Sequence, residues 1–200
     1  MDMLNVISLL IGVLGIIVAF YFGIKSLRLS REKRTFSWHE VERGATYLLR
    51  KAEEVFHPQI IMMISIESAI ITGIAMTKFP RLLPTYLVML ENKTGRKFDP
   101  TVIPKDHSPI ETSKWNIYIP NQVCKEHDKR ILIIDDRVLT GNIQREMRKF
   151  LESKGFKKEN IMFISLVCAS TAITSNNAPD LYYYKNPYEE FDFPYGSWAW

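Results

Sequence analysis

The chain of 200 residues is sparing with the residues that usually advertise chemistry. It has only two cysteines, Cys124 and Cys168, far apart in sequence and in no metal-ligand spacing. That excludes a disulfide scaffold and a zinc ribbon and suits a reducing compartment. Four histidines, His39, His57, His107 and His127, stand alone, so no histidine-centred site is expected. A G-x-x-x-x-G-K-[ST] loop is absent, which excludes a P-loop nucleotidase. Charge of one sign is also scarce over most of the chain. The total is +4, with −1 before Lys25 and +4 over Lys25–Arg34, leaving +1 for Thr35–Trp200. A near-neutral body argues against a general nucleic-acid surface.

What is abundant comes first at the N-terminus. Leu4–Ile24 contains no charged residue. At about 1.5 Å per residue, roughly 20 apolar residues cross a bilayer. The run predicts a transmembrane helix in residues 1–24. A cleaved signal peptide would carry positive charge before the run, whereas here only Asp2 precedes it. Lys25, Arg28, Arg31, Lys33 and Arg34 follow in a basic linker over 25–35, which puts the main domain on the cytoplasmic side and the basic cluster against anionic lipid headgroups. Ser8, Gly12, Gly15, Ala19 and Gly23 fall near one face of the run, a pattern that suits either self-association of two copies or ordinary membrane-helix composition.

The remaining residues, 36–200, read as one α/β domain. Ser37 with Glu40 makes a capping box, and Val41, Ala45, Leu48, Ala52 and Val55 continue at helical spacing to His57-Pro58. Gln59–Ile66 reads as a strand, Ser68–Phe79 as a helix and Tyr86–Leu90 as a second strand, a β-α-β unit that implies parallel strands. Glu91–Lys114 reads as a long polar loop, Trp115–Pro120 as a short strand, and Ile161–Ala169 as an apolar strand followed by a loop over Ser170–Asn177. Cys168 lies in that apolar strand and reads as a buried thiol.

The domain is organised around Ile131–Ile143, ILIIDDRVLTGNI. Four apolar β-formers suit a central strand covered on both faces. Two carboxylates, Asp135 and Asp136, then fall where open α/β sheets bind ligands. A turn and a helix N-terminus follow, a natural seat for phosphate. Ile143, Met147, Phe150 and Leu151 stripe that helix, and Gly155 ends it. A receiver domain needs about a hundred residues after its acidic pair, and only 64 remain after Asp136.

This stretch resembles, without a gap, the signature of the type I phosphoribosyltransferases: four hydrophobic residues, two acidic, three variable, then Thr-Gly. The resemblance implies a doubly wound, mostly parallel α/β sheet. It implies that Asp135 and Asp136 hold the ribose hydroxyls of phosphoribosyl pyrophosphate or a nucleotide, with Mg²⁺ as cofactor held indirectly at the same pair. It also implies that Arg137, Val138, Leu139, Thr140 and Gly141 wrap the phosphate. By the same resemblance Ser65, Ile66, Glu67 and Ser68 form the pyrophosphate loop, and Lys93, Arg96 and Lys97, where a strand feeds the flexible loop, contact the pyrophosphate; a solvated charge run is the alternative reading of these three. The aromatic tail from Pro179 to Trp200, with PDLYYY and DFPYGSW, is similar to the hood of the xanthine–guanine phosphoribosyltransferases. That implies Tyr182, Phe191 and Phe193 as stacking partners for a base; packing of the hood's own core, or a homodimer contact, is the alternative.

The pattern departs from the family at Leu139, where many members place an acidic general base; at Ile143, where a threonine is usual; and at Glu67, in a loop usually built on glycine. No lysine stands between Lys158 and Lys185 to read a purine oxygen. Two functions follow: a membrane-anchored phosphoribosyltransferase, or a membrane-tethered sensor or effector module that binds nucleotide or phosphoribosyl pyrophosphate without turnover. No catalytic residue is assigned by either.

Overall fold

A computed structural model describes residues 34–77, 83–93, 105–187 and 191–195. The segment Leu4–Ile24, read as a membrane anchor, lies outside the described residues, as do Arg96 and Lys97. Among the described residues no helix is long and apolar enough to cross a membrane.

The chain runs β1 (Arg34–Thr35), α1 (Trp38–Phe56), β2 (Ile60–Ile64), α2 (Ser65–Met76), β3 (Thr85–Asn92), β4 (His107–Glu111) and β5 (Trp115–Pro120). It continues through α3 (Asn121–Cys124), β6 (Ile131–Val138), α4 (Asn142–Ser153), β7 (Ile161–Ala169), α5 (Ser170–Thr174), β8 (Leu181–Asn186) and β9 (Phe191–Asp192). The described residues form a seven-stranded sheet in the order β4-β5-β3-β2-β6-β7-β8. Strands β3, β2, β6, β7 and β8 are mutually parallel, and β4 and β5 add antiparallel pairing at one edge. This is the doubly wound, mostly parallel sheet the sequence predicts.

The central strands are apolar on both faces because both are covered. Leu132 and Ile134 of β6 join the core under α1 and α2, while Ile131 and Ile133 join Met147 and Leu151 of α4. Helix α1 starts at the expected capping box, where the Glu40 N–H donates to Ser37 Oγ (3.3 Å) and the Ser37 N–H to the Glu40 carboxylate (3.0 Å). It comes so close to the sheet at Gly44 that a Cβ there would lie 2.5 Å from Leu166. Cys168 is fully buried, as read from its strand, and burial pushes its thiol up to about 11.

Several boundaries differ from the sequence reading. Glu91–Lys114 is not structureless: β3 extends to Asn92, and β4 lies on the sheet edge. Ser170–Asn177 contains the short helix α5. The tail closes back on the start of the domain, where β9 pairs with β1, Arg34 opposite Phe191 and Thr35 opposite Asp192.

Candidate functional site

The acidic pair lies inside β6 rather than beyond it. The ladder with β7 continues through Arg137 opposite Val167 and Val138 opposite Cys168, so the strand ends two residues after Asp136. Asp135 and Asp136 are buried, at 7% and 4% exposure. Asp135 Oδ2 accepts from Gln144 Nε2 of α4 at 2.8 Å. Asp136 Oδ2 accepts from Arg137 Nε at 3.1 Å. Burial pushes the Asp135 carboxyl well up, and the neighbouring Asp136 charge adds to this; Arg137 opposes both. Burial also raises Asp136, against the pull of Arg137, and the Glu67 charge pushes the same way as burial.

The next residues divide by role. Val138 is buried against Cys168 and Ala172, and Leu139 packs on the core beneath α1 and α2, so each can offer a ligand only backbone groups. Thr140 is exposed. Gly141 is the N-cap of α4 at φ 72°, and a Cβ there would meet the Asn177 carbonyl at 2.0 Å. The helix N-terminus has no side-chain cap. Its first-turn N–H groups have no intrahelical acceptors and carry the positive end of the helix dipole, which suits an anion. The structure thus brings Asp135, Asp136 and Arg137–Gly141 together around one helix start.

The pyrophosphate-loop candidates are not a loop. Helix α2 begins at Ser65, so Ser65, Ile66, Glu67 and Ser68 are its first turn. Ser65 makes the reversal in one step at φ 85°, a conformation a serine adopts at a cost of about 1–3 kcal/mol. Ser68 fixes the turn: its hydroxyl donates to the Ser65 carbonyl at 2.9 Å and, more closely, to the Ile64 carbonyl. Glu67 is buried and its charge pushes the Asp136 carboxyl up, whereas Ile66 is 72% exposed at the surface. Lys93 does not reach this cluster; its ammonium pairs with Glu111 at 3.6 Å.

The base-stacking candidates are also placed differently. Phe191 and Phe193 are 4% and 3% exposed. Phe193 stacks on Phe36 at 5.3 Å and on Tyr195 at 4.9 Å, and the Arg137 guanidinium lies 5.7 and 5.6 Å from the Phe191 and Phe193 rings. Their faces are taken by protein, because β9 pairs with β1 and folds them into the core. Tyr182 lies level with Asp135 in register but two strands away, a separation of about 10 Å.

Two residues that the sequence reading did not single out join the site. Gln144 holds Asp135, and its signal was the spacing Gln144, Met147, Leu151, which puts a polar residue on a core stripe. The Tyr195 hydroxyl is buried with no hydrogen-bond partner among the described residues. Burial and then the Asp136 charge push that hydroxyl far up.

Mg²⁺ would shield a pyrophosphate if bound. The described residues contain no group of three His, Cys, Asp or Glu placed to hold a metal, and Asp135 and Asp136 each already accept a protein hydrogen bond. Two open cavities, of about 450 and 360 Å³, border Arg148 and Asp180 in one case and Arg43 and Tyr47 in the other; neither is lined by the acidic pair.

No protein-family model matches the chain, and no curated protein matches it in sequence. Solved structures do match. A purine phosphoribosyltransferase from Pyrococcus horikoshii aligns with TM-score 0.59 at 16% identity, over 84% of this chain and 97% of its own. A xanthine-guanine-hypoxanthine phosphoribosyltransferase from Helicobacter pylori aligns with TM-score 0.60 at 19% identity, over 82% and 94%. A hypothetical protein from Neisseria gonorrhoeae with bound ppGpp aligns with TM-score 0.58 at 12% identity, over 84% and 92%. The chain has the fold of the type I phosphoribosyltransferases.

Proposed function

We propose that the chain binds the phosphoribosyl group of phosphoribosyl pyrophosphate or of a nucleotide, and that transfer of this group to or from a base is the reaction the site serves. The observation that carries the reading is two buried carboxyl groups, Asp135 and Asp136, directly before an uncapped helix N-terminus. Ribose hydroxyls donate to the carboxylates, and the phosphate takes the N–H groups of the first turn of α4 with Thr140 beside them. Gln144 orients Asp135 by donating to its Oδ2. Any reaction at C1 then relies on positioning and exclusion of water, since no acidic base stands at Leu139.

Calorimetric titration of the full-length chain with phosphoribosyl pyrophosphate and with nucleoside monophosphates tests this, alongside the Asp135→Ala/Asp136→Ala double variant. Binding by the parent and loss in a folded variant is the expected result. Equal binding by both removes the assignment.

The proposal extends to the N-terminus. Leu4–Ile24 anchors the chain in a membrane, with Lys25–Arg34 against anionic lipid on the cytoplasmic side. Release of the full-length chain by alkaline carbonate would overturn this; retention in the membrane pellet is expected.

A further inference from the structure

We infer that residues 191–195 form an autoinhibitory strap, latched by the pairing of β9 with β1, and that a phosphoribosyl ligand reaches Asp135 and Asp136 only when this latch opens. The inference rests on the phosphoribosyl reading of the site and adds its regulation. It starts from the lack of room. Asp135 and Asp136 are 7% and 4% exposed, and neither of the two open cavities is lined by them. A sugar phosphate cannot meet two carboxyl groups that solvent barely touches, so a neighbouring group has to move. Asp135 is held by Gln144, which belongs to a helix of 12 residues whose Met147 and Leu151 are fixed in the core. Asp136 is held by Arg137, whose Nε lies 3.1 Å from Oδ2. Arg137 in turn has the Phe191 and Phe193 rings 5.7 and 5.6 Å from its guanidinium, so it is confined to Asp136 while those rings stay in place.

The strap is held by little backbone. β1 and β9 have two residues each and two register pairs, with one further bond from the Phe36 N–H to the Asp192 carbonyl at 2.9 Å. The rest is ring packing. Phe193 stacks on Phe36 at 5.3 Å and on Tyr195 at 4.9 Å, and Phe191 meets Phe36 edge-on at 6.3 Å. Phe36, one residue after β1, thus carries both rings that confine Arg137. Closure buries these rings, which favours the shut state. Against this, the Tyr195 hydroxyl is buried with no hydrogen-bond partner among the described residues, a cost that opening to water removes. The balance sets the open fraction, and apparent affinity falls in proportion to it. Arg34, where β1 begins, is also the last residue of the basic cluster Lys25–Arg34, so the latch sits where that linker joins the domain.

The test uses the full-length chain carrying Thr35→Cys and Asp192→Cys, positions directly opposite each other in the β1–β9 register. Opposed Cα atoms on paired strands lie about 4.8 Å apart, within reach of a disulfide. Ribose 5-phosphate is titrated calorimetrically into the oxidised and reduced forms, with the parent oxidised in the same way as a control for Cys124 and Cys168. It is also titrated into Phe193→Ala, with circular dichroism confirming the fold. The oxidised form should bind at least about tenfold more weakly than the reduced form, and Phe193→Ala about tenfold more tightly than the parent. Equal affinity of the oxidised and reduced forms overturns the strap and leaves the phosphoribosyl site standing, as does a folded Phe193→Ala that binds no more tightly than the parent. Failure of the two cysteines to join under oxidation overturns the latch itself. Ribose 5-phosphate bound by no form, Phe193→Ala included, overturns the inference together with the site.

Discussion

Gln144→Leu isolates the contact that orients the acidic pair. In the parent, Gln144 Nε2 donates to Asp135 Oδ2 at 2.8 Å, and both residues are buried, so no water replaces the donor when it is removed. Leaving a buried acceptor unsatisfied costs about 1–3 kcal/mol. For a chain of this size that corresponds to a fall in Tm of roughly 2–12 °C. The sign with pH follows from the group. The donor matters most where Asp135 is a carboxylate and less where it is protonated, so the deficit narrows as pH falls through the raised folded pKa of Asp135. Thermal melts of parent and variant from pH 4 to 8, followed by circular dichroism, measure it. A variant as stable as the parent at every pH would show that Gln144 does not hold Asp135 and would refute the geometry of the site.

Three further outcomes are expected. Gly141→Ala places a Cβ 2.0 Å from the Asn177 carbonyl at φ 72° and should cost about 1–3 kcal/mol in denaturant melts, with weaker phosphate binding; a neutral result would mean the α4 start is not held as described. Arg137→Ala removes the partner of a buried carboxyl and the cation lying over Phe191 and Phe193, and should cost about 3 kcal/mol by urea unfolding; Arg137→Lys should recover only part, because an ammonium lacks the planar fork. Asp135 has a folded pKa raised above its unfolded value, so the folded chain holds the extra proton and its stability declines as pH rises through that folded pKa. Asp135→Asn should flatten this decline and raise Tm at neutral pH, and an unchanged pH profile would contradict the burial argument.

The sheet was legible because nearly unbroken apolar runs such as Ile161–Ala169, interrupted only by Ser165, admit few other readings once both faces must be covered. The capping box at Ser37 was legible because it is a local pattern with a local cause. The turn at Ser65 was not: a serine at positive φ carries no sequence mark, and the helix therefore began three residues earlier than its periodicity suggested. Nor was the end of β6, since Arg137 stays in the ladder only because Val167 lies opposite it. The hood aromatics illustrate a wider ambiguity. A stacking face and a core face have the same composition, and only the long-range pairing of β9 with β1 places Phe191 and Phe193 inside. Glu67 stood out as a departure at the sequence level; its push on the Asp136 carboxyl became visible only when β2 and β6 were adjacent.

The most direct measurement is binding of ribose 5-phosphate against 2-deoxyribose 5-phosphate by the full-length chain. These ligands differ only in one hydroxyl that the acidic pair is held to receive, and neither carries a base or pyrophosphate. Loss of a hydrogen bond to a charged group costs about 1.5–3 kcal/mol. Ribose 5-phosphate should therefore bind about tenfold or more tightly, with the difference abolished in Asp135→Asn/Asp136→Asn. Equal affinity for the two sugars in the parent would contradict the claim that Asp135 and Asp136 read a ribose.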